Sequence, residues 1–219
     1  FIVLFDDELA VELGANIYGS VADVFINADG FKKSIPGPGI GNYVTVGKAM
    51  GVIRSILGED ALRNRSYISA HGTGTPQNRT TESHIFSELA KTFGIDNWPV
   101  AAIKAYIGHS LACASGDQII NALGTWVDGI IPGITTIDEL ASDVFTENVD
   151  YLLKHREIAR NSMDATLVNS KGFGGNNATA VLLSPEVTRK MIEKKQGSKT
   201  LTKHATHNES VMQASHEYD

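Results

Sequence analysis

Two histidines lie in short glycine-containing segments, each of which follows a predicted strand. His71 begins the segment HGTGT at 71–75, and His109 ends the segment KAYIGH at 104–109. Lys104 lies five residues before His109, and a cation near an imidazole disfavours its protonated form. A neutral imidazole can donate a hydrogen bond to an oxyanion that develops during a reaction. The two segments are therefore candidates for one oxyanion-stabilising site, although each one alone is also typical of a strand-end turn or a surface loop.

A third segment, NSKGFGGNN at 169–177, also follows a predicted strand. Its glycines and Phe173 allow backbone N–H groups to face a ligand. A plain β-turn is one alternative. A phosphate-binding P-loop is another, but the segment lacks the Lys-Ser/Thr ending of that motif. Open α/β sheets place ligands at the ends of strands, so the three segments point by analogy to one site.

The composition excludes several functional classes. The net charge of −6 gives no reason to expect nucleic acid or an anionic membrane as a partner. No apolar run approaches the roughly 20 residues of a membrane span. The single cysteine, Cys113, excludes an internal disulfide and is typical of a reducing, cytoplasmic setting. Glu82, His84 and His71 match no familiar zinc-ligand spacing, so we expect no metal site.

Hydrophobic periodicity and turn residues predict strands that alternate with helices, which is typical of an α/β layered domain. The predicted strands are 1–5, 16–27, 67–70, 100–103, 166–168 and 178–183. The predicted helices run from about 46 to Gly58, from a cap at Thr80 or Thr81 to Gly94, from the capping-box residues 115–118 through Val127, and onward from Ser184 and Pro185. Turn chemistry predicts a loop at 34–39.

Two parts of the chain differ in composition. We expect residues 1–184 to form the domain, and residues 185–219 to form a terminal helix followed by a polar, mobile tail from about Gln196. The tail histidines, His204, His207 and His216, are expected to be solvated. The opening strand begins at once and without a methionine, so we expect the chain to be cut from a longer one.

Taken together, the motifs resemble the β-ketoacyl synthase family of fatty-acid and polyketide synthesis. The resemblance covers roughly residues 1–184 and rests on HGTGT at 71–75, Glu82, KAYIGHS at 104–110 and GFGG at 172–175, in the order of the family. It implies a thiolase-like layered α/β fold, a mixed sheet with flanking helices, of which this chain would be the C-terminal half. It also implies a decarboxylative Claisen condensation of acyl and malonyl thioesters carried on the phosphopantetheine of acyl carrier protein.

The resemblance assigns roles to particular residues. His71 and His109 would donate hydrogen bonds from Nε2 to the malonyl thioester oxygen, Lys104 would be the active-site lysine, and Glu82 the buried glutamate that organises their network. Thr73 and Thr75 would bind the phosphopantetheine arm. Phe173 and Gly174 would contact the substrate; Phe173 would be the gating aromatic residue, and its backbone N–H would contribute to the oxyanion hole.

The resemblance further implies a homodimer that binds no cofactor of its own and whose partners are acyl carrier protein and the N-terminal half of the same synthase. The acylated cysteine would lie in that upstream half, so the chain alone would be inactive. Cys113 is interpreted as an inert thiol at a small packing position. A non-catalytic partner subunit, like a chain-length factor, is the alternative; a thiolase is disfavoured because it lacks the paired histidine motifs.

The sequence departs from the family pattern at four places. Lys171 occupies a position that is usually aromatic, Asn78-Arg79 replaces Gly-Asp, and Asn176 replaces threonine. The run SLACASG at 110–116 is bulkier than the usual glycine-alanine run. The change at Lys171 puts the acyl-pocket gate in doubt.

Overall fold

The computed structural model describes residues 1–30, 39–159 and 161–218. The loop predicted at 34–39 lies, apart from Gly39, outside the described residues. The helices are α1 (Asp7–Glu12), α2 (Ile40–Leu57), α3 (Glu59–Asn64), α4 (Pro76–Phe93), α5 (Lys104–Ile107), α6 (Ala114–Asp128), α7 (Pro185–Gln196) and α8 (Ser198–Tyr218). The strands are β1 (Ser20–Ala28), β2 (Ser66–Ser69), β3 (Trp98–Ala101), β4 (Ile130–Ile131), β5 (Val149–Tyr151), β6 (Arg156–Glu157), β7 (Ala165–Gly172) and β8 (Asn176–Leu183).

In the part of the chain that the structure describes, six strands form one mixed sheet in the order β1-β8-β7-β2-β3-β5. β1, β8 and β7 are antiparallel neighbours, whereas β7, β2, β3 and β5 run parallel. β4 and β6 form a separate antiparallel pair. The mixed sheet with helices around it confirms the predicted α/β fold.

Helices cover both faces of this sheet because the side chains of each strand alternate between the faces. Leu167 of β7 belongs to the larger apolar cluster, which also contains Met50 of α2 and Phe86 of α4. Its neighbour Val168 points to the other face and packs with Ala122 of α6. β2, β3 and β7 run in the same direction, so their carboxyl ends lie at one edge of the sheet.

The predicted helix ends were confirmed for α2, which ends at Gly58, and for α4, which ends at a left-handed Gly94. The predicted start of α4 at Thr80 or Thr81 was wrong. The helix begins at Pro76, and Oγ1 of Thr75 accepts a hydrogen bond from the backbone N–H of Asn78. Proline suits the first helical turn because its missing N–H would have no partner there.

The capping box predicted at 115–118 was also wrong. α6 begins at Ala114 with Cys113 as its cap, and no side chain caps it. Ser115 lies inside the helix, and its hydroxyl bonds that of Ser170 on β7 at 2.8 Å.

The strand predicted at 1–5 was wrong. Its apolar side chains are exposed, Phe1 fully and Leu4 to 73%, and in the described chain these residues pair with no strand. A strand needs the backbone hydrogen bonds of a neighbour, which an apolar run cannot reveal. The next strand, β1, begins at Ser20, four residues later than predicted.

The C-terminal segment contains more structure than its polar composition predicted. Ser184 caps α7 as predicted, and residues 198–218 then form the helix α8. The prediction that His204 is solvated was wrong, because it is only 6% exposed and its Nε2 lies 2.9 Å from the carbonyl oxygen of Ala15. His207 and His216 are exposed. None of the helices in the described ranges combines the length and apolar character that crossing a bilayer requires.

Candidate active site

His71 and His109 lie side by side. β2 and β3 are parallel neighbours, so the segments that follow them leave the same edge of the sheet. The two imidazole rings meet edge to face, with centroids 5.2 Å apart and an interplanar angle of 84°. The convergence of the two motifs, which the sequence predicted, is therefore present in the fold.

The backbone at Gly72 makes this turn possible. Its φ of 58° lies in the left-handed region, and an added Cβ would come within 2.9 Å of the Cβ of Ala102. Glycine avoids both the strain and the clash. Glycine at position 72 therefore allows the segment that carries His71 to pass close to Ala102, which precedes Lys104.

Glu82 fixes this turn from α4. Its Oε1 accepts hydrogen bonds from the backbone N–H of His71 at 2.7 Å and from Nδ2 of Asn169 at 2.8 Å. Its Oε2 accepts from the backbone N–H of Gly72 at 2.9 Å and from Nδ2 of Asn78 at 3.0 Å. The carboxylate is only 4% exposed, and its four donors offset the loss of hydration. Glu82 therefore binds the turn that carries His71 and not Lys104, and its predicted role in the network around the lysine stays a prediction.

Lys104 is buried beside the histidines and binds a neutral partner. Its Nζ donates to Oε1 of Gln118 at 3.0 Å. Burial lowers the pKa of its ammonium group, while the negative charges of Glu82 and Asp117 act in the opposite direction.

Gln118 of α6 is a site residue that the sequence reasoning missed. It is fully buried, and its Nε2 lies within hydrogen-bond distance of the carbonyl oxygens of Ser69, Ala70 and Asn169 at 2.9–3.1 Å. Its amide therefore joins the ends of β2 and β7 to the lysine. The available signal was a polar residue among the apolar positions of an amphipathic helix, since such a residue needs partners when buried.

Both imidazoles are neutral near pH 7. Burial lowers the pKa of His71 to about 4; the Glu82 carboxylate opposes this, and Lys104 contributes in the same direction as burial. Burial also lowers the pKa of His109, followed by the charge of Lys104. The sequence prediction named the lysine as the cause, whereas burial is the larger one.

The hydrogen bonding of His109 assigns its proton. Its Nδ1 accepts a hydrogen bond from the backbone N–H of Leu111 at 3.1 Å. A neutral ring that accepts at one nitrogen carries its proton on the other, so Nε2 of His109 is a donor.

The histidine pair opens onto a cavity of about 220 Å³. The other residues that line it include Leu111, Ser170, Lys171, Asn176 and Asn177. Lys171 is 5% exposed, and its Nζ is buried without a hydrogen-bond partner among the described residues. Burial lowers the pKa of this ammonium group, opposed by the charges of Glu82 and Asp29.

Comparison with known proteins agrees with this geometry. The sequence profile of the family described as Beta-ketoacyl synthase, C-terminal domain, matches residues 18–138. The chain belongs to the β-ketoacyl synthase family. This confirms the resemblance predicted from the motifs.

Individual relatives extend the comparison. The chain is 50% identical over 220 residues to Beta-ketoacyl-[acyl-carrier-protein] synthase FabY of Pseudomonas aeruginosa, covering 100% of this chain and 34% of that protein. It is 28% identical over 181 residues to 3-oxoacyl-[acyl-carrier-protein] synthase 1 of Escherichia coli, covering 83% of this chain and 40% of the relative. The crystal structure of the noncanonical ketosynthase FabY from P. aeruginosa superposes with a TM-score of 0.93 at 50% identity, covering 98% of this chain and 33% of that one. The chain thus spans between a third and two fifths of the length of these synthases.

The two threonines of the HGTGT motif, Thr73 and Thr75, lie just before α4. Oγ1 of Thr73 is 3.5 Å from that of Thr75, which is the exposed cap of the helix. Thr73 also lines a second cavity, of about 390 Å³, on the side of Glu82 and Lys104. The predicted role of both threonines in substrate binding stays a prediction.

The GFGG segment forms the turn between β7 and β8. Phe173 is 74% exposed, and Gly174 and Gly175 have φ of 82° and 77°. The β-turn predicted as one alternative for this segment is therefore present, at the edge of the sheet where the histidines lie. The gating role of Phe173 and the substrate contact of Gly174 stay predictions.

Cys113 differs from its predicted packing position. It is exposed, and its sulfur lies 3.5 Å from the carbonyl oxygen of Ser110. The prediction failed because α6 begins only at the next residue, which leaves the side chain outside the helix packing. His84, considered with Glu82 and His71 as a metal triad, instead bonds the hydroxyl of Tyr43 through Nδ1 at 2.8 Å.

Proposed function

We propose that this chain is the C-terminal part of a β-ketoacyl-[acyl carrier protein] synthase, an acyltransferase that joins acyl and malonyl thioesters by decarboxylative Claisen condensation. The observation that carries the proposal is the pair of neutral imidazoles of His71 and His109, 5.2 Å apart on one cavity. Two neutral N–H donors aimed at one oxygen stabilise an oxyanion without transferring a proton.

In the proposed reaction the malonyl thioester loses carbon dioxide. The bond between C2 and the carboxylate breaks, and its electron pair remains on the thioester as an enolate. His71 and His109 donate hydrogen bonds from Nε2 to the enolate oxygen, and the assigned tautomer of His109 supports this role. The enolate carbon then attacks an acyl thioester, and the thiolate of that thioester leaves.

The remaining residues act as positioning groups in this proposal. Glu82 holds the backbone of the segment that carries His71, and Lys104 adds to burial in keeping the imidazoles uncharged. Thr73 and Thr75 contact the phosphopantetheine arm. Phe173 and Gly174 cover the side of the site that binds the acyl chain. The synthase uses acyl carrier protein as its substrate carrier, binds no cofactor of its own, and works as a cytoplasmic homodimer.

The acylated cysteine belongs to an N-terminal part of the synthase in this proposal. The coverage of one third of FabY supports a larger enzyme. Exposed apolar side chains support a covering segment, since Ile26 of β1 is 78% exposed and Val127 of α6 is 67% exposed. The alternative, a non-catalytic partner subunit, does not account for two neutral histidines held beside a buried lysine.

Release of carbon dioxide from malonyl thioester by the full-length protein tests the proposal. A synthase releases carbon dioxide and forms a 3-oxoacyl product with an acyl donor. A protein that binds the carrier but releases none would be the non-catalytic subunit instead. Substitution of His71 or His109 separates the two cases, because only the synthase depends on them.

A further inference from the structure

Lys171 is a buried cation that the proposed chemistry does not yet use. Its side chain lines the same cavity as His71 and His109, and its Nζ has no hydrogen-bond partner among the described residues. A buried ammonium group without a partner loses its hydration and gains nothing in return. Such a group is expected to have a ligand.

The nearby carboxylates do not supply that ligand. Glu82 and Asp29 act on Lys171 only through their charge. Both oxygens of Glu82 are bound by four N–H donors. Oδ1 of Asp29 accepts from the backbone N–H of Gly41 and from Nδ2 of Asn177. Neither carboxylate forms an ion pair with Lys171 in the described part of the chain.

Lys171 is the buried cation of the cavity that has no bound partner within the described ranges. The buried charged side chains near it are Glu82 and Lys104, and the half-buried Asp29 adds a second carboxylate whose Oδ2 has no hydrogen-bond partner among the described residues. Lys104 is held by the neutral amide of Gln118. Glu82 and Asp29 balance the two lysines in number, but neither carboxylate is bonded to Lys171, so its ammonium group still lacks a bound anion in the part of the chain that the structure describes.

We propose that Lys171 is the binding site for the free carboxylate of the extender thioester, the group that distinguishes a malonyl from an acetyl substrate. This inference rests on the proposed condensation. The enolate oxygen already has two donors in the histidine pair, so the carboxylate is the anion of the reaction that still needs a partner. Lys171 stands at the position that is aromatic in the family pattern, where no cation would be available.

The role predicts a particular kinetic signature. The carboxylate leaves as neutral carbon dioxide, so its contact with Lys171 weakens as the transition state forms, and the lysine keeps its proton throughout. An interaction that is stronger in the ground state contributes to substrate binding and not to the rate of the bound complex. Removing it should raise KM for the malonyl thioester while kcat for decarboxylation stays unchanged or rises.

A pair of substrate analogues tests the site in the full-length protein. The probes are malonyl and acetyl pantetheine amides, which differ only in the carboxylate and cannot acylate a thiol. The wild type should bind the malonyl amide about tenfold or more tighter than the acetyl amide, since a hydrogen bond to a charged group contributes about 1.5–3 kcal/mol. Equal affinity of the wild type for the two amides would overturn the inference without any variant.

Substitution assigns the preference to the lysine. Lys171→Met should bring the two affinities to within about twofold, and Lys171→Arg should retain most of the preference because the charge remains. Lys203→Met, on the exposed side of α8, is the control and should behave as the wild type. A Lys171→Met protein that still prefers the malonyl amide would also overturn the inference.

The outcomes separate this inference from the proposed function. A wild type that releases carbon dioxide from malonyl thioester but shows no preference between the amides contradicts only the role of Lys171. A wild type that releases no carbon dioxide contradicts the synthase proposal itself. If Lys171→Met does not fold, the wild type still tests the inference, because equal affinities for the malonyl and acetyl amides are sufficient to reject the site.

Discussion

The ammonium group of Lys104 is held by the amide oxygen of Gln118, at 3.0 Å, and not by the carboxylate of Glu82. The two charged groups interact only at a distance. The carboxylate is consequently free to bind the backbone of His71 and Gly72. Lys104 is thus held by a neutral amide and Glu82 by neutral backbone N–H groups, and both charged side chains stay next to the histidines without forming an ion pair with each other.

Replacing Gln118 by leucine tests this arrangement. The change leaves the Lys104 ammonium and the carbonyl oxygens of Ser69, Ala70 and Asn169 without their present partner. We expect a loss of about 3 kcal/mol in the free energy of unfolding, since unsatisfied buried polar groups cost about 1–3 kcal/mol each and relaxation recovers part of it. Urea unfolding measures it, with the exposed Gln213→Leu on α8 as the control. A loss no larger than that of the control would contradict the role of the amide.

The two histidine motifs could be predicted to converge because each one follows a strand of the same sheet. A strand that ends in a glycine turn delivers the next side chain to the sheet edge, and β2, β3 and β7 are parallel neighbours. His71 and His109 could therefore be placed together from the sequence, whereas Glu82 of α4 was assigned through the family resemblance. Gln118 could not be placed, because its partners are backbone carbonyls on two strands that lie about 50 residues away in opposite directions along the chain.

The predicted bounds of helices and strands were wrong where the local sequence allows more than one structure. Thr75 and Thr80 are both acceptable helix caps, and Pro76 favours Thr75 because proline suits the first helical turn. The apolar run at the start of the chain has the composition of a buried strand, yet its side chains are exposed. Composition records which residues can be buried, whereas a strand also depends on a neighbour that the local sequence does not specify.

Substitution of Glu82 by glutamine should disturb the turn more than the change in size implies. Four N–H donors converge on the carboxylate, and a carboxamide replaces one acceptor oxygen by a donor. We expect Glu82→Gln to lose about 3 kcal/mol of unfolding free energy, because at least two donors are left unpaired. The measurement is chemical unfolding of the full-length protein, with the exposed Glu209→Gln on α8 as the matched control. Equal stabilities of the two variants would show that the network does not fix the turn.

The histidine pair should be essential for decarboxylation. His71→Ala and His109→Ala each remove one donor to the enolate oxygen, and loss of one oxyanion donor typically lowers kcat by about 10²–10³. Carbon dioxide release from malonyl thioester by the full-length protein is the measurement. His216→Ala, on the exposed end of α8, should release carbon dioxide at the wild-type rate. Wild-type rates in both active-site variants would remove the assignment of the pair.

The depressed pKa of His71 makes stability depend on pH in a defined window. The ring has a pKa of about 4 in the folded protein, against an ordinary value of 6.5. Above pH 6.5 it is neutral in both states, so it contributes no pH dependence there. As the pH falls from 6.5 to about 4, the unfolded chain gains a proton that the folded chain does not, and the folded state loses stability relative to the unfolded one.

This loss amounts to about 3 kcal/mol across the window, because each pKa unit corresponds to about 1.36 kcal/mol. Urea unfolding at a series of pH values should therefore show a steeper fall for the wild type than for His71→Gln, whose side chain does not titrate. His207→Gln, which replaces an exposed histidine, should keep the wild-type slope. If His71→Gln and the wild type lose stability in parallel between pH 6.5 and 4, the imidazole is not held neutral by burial. The depressed pKa of His71, and with it the neutral state of this ring below pH 6.5, would then be wrong.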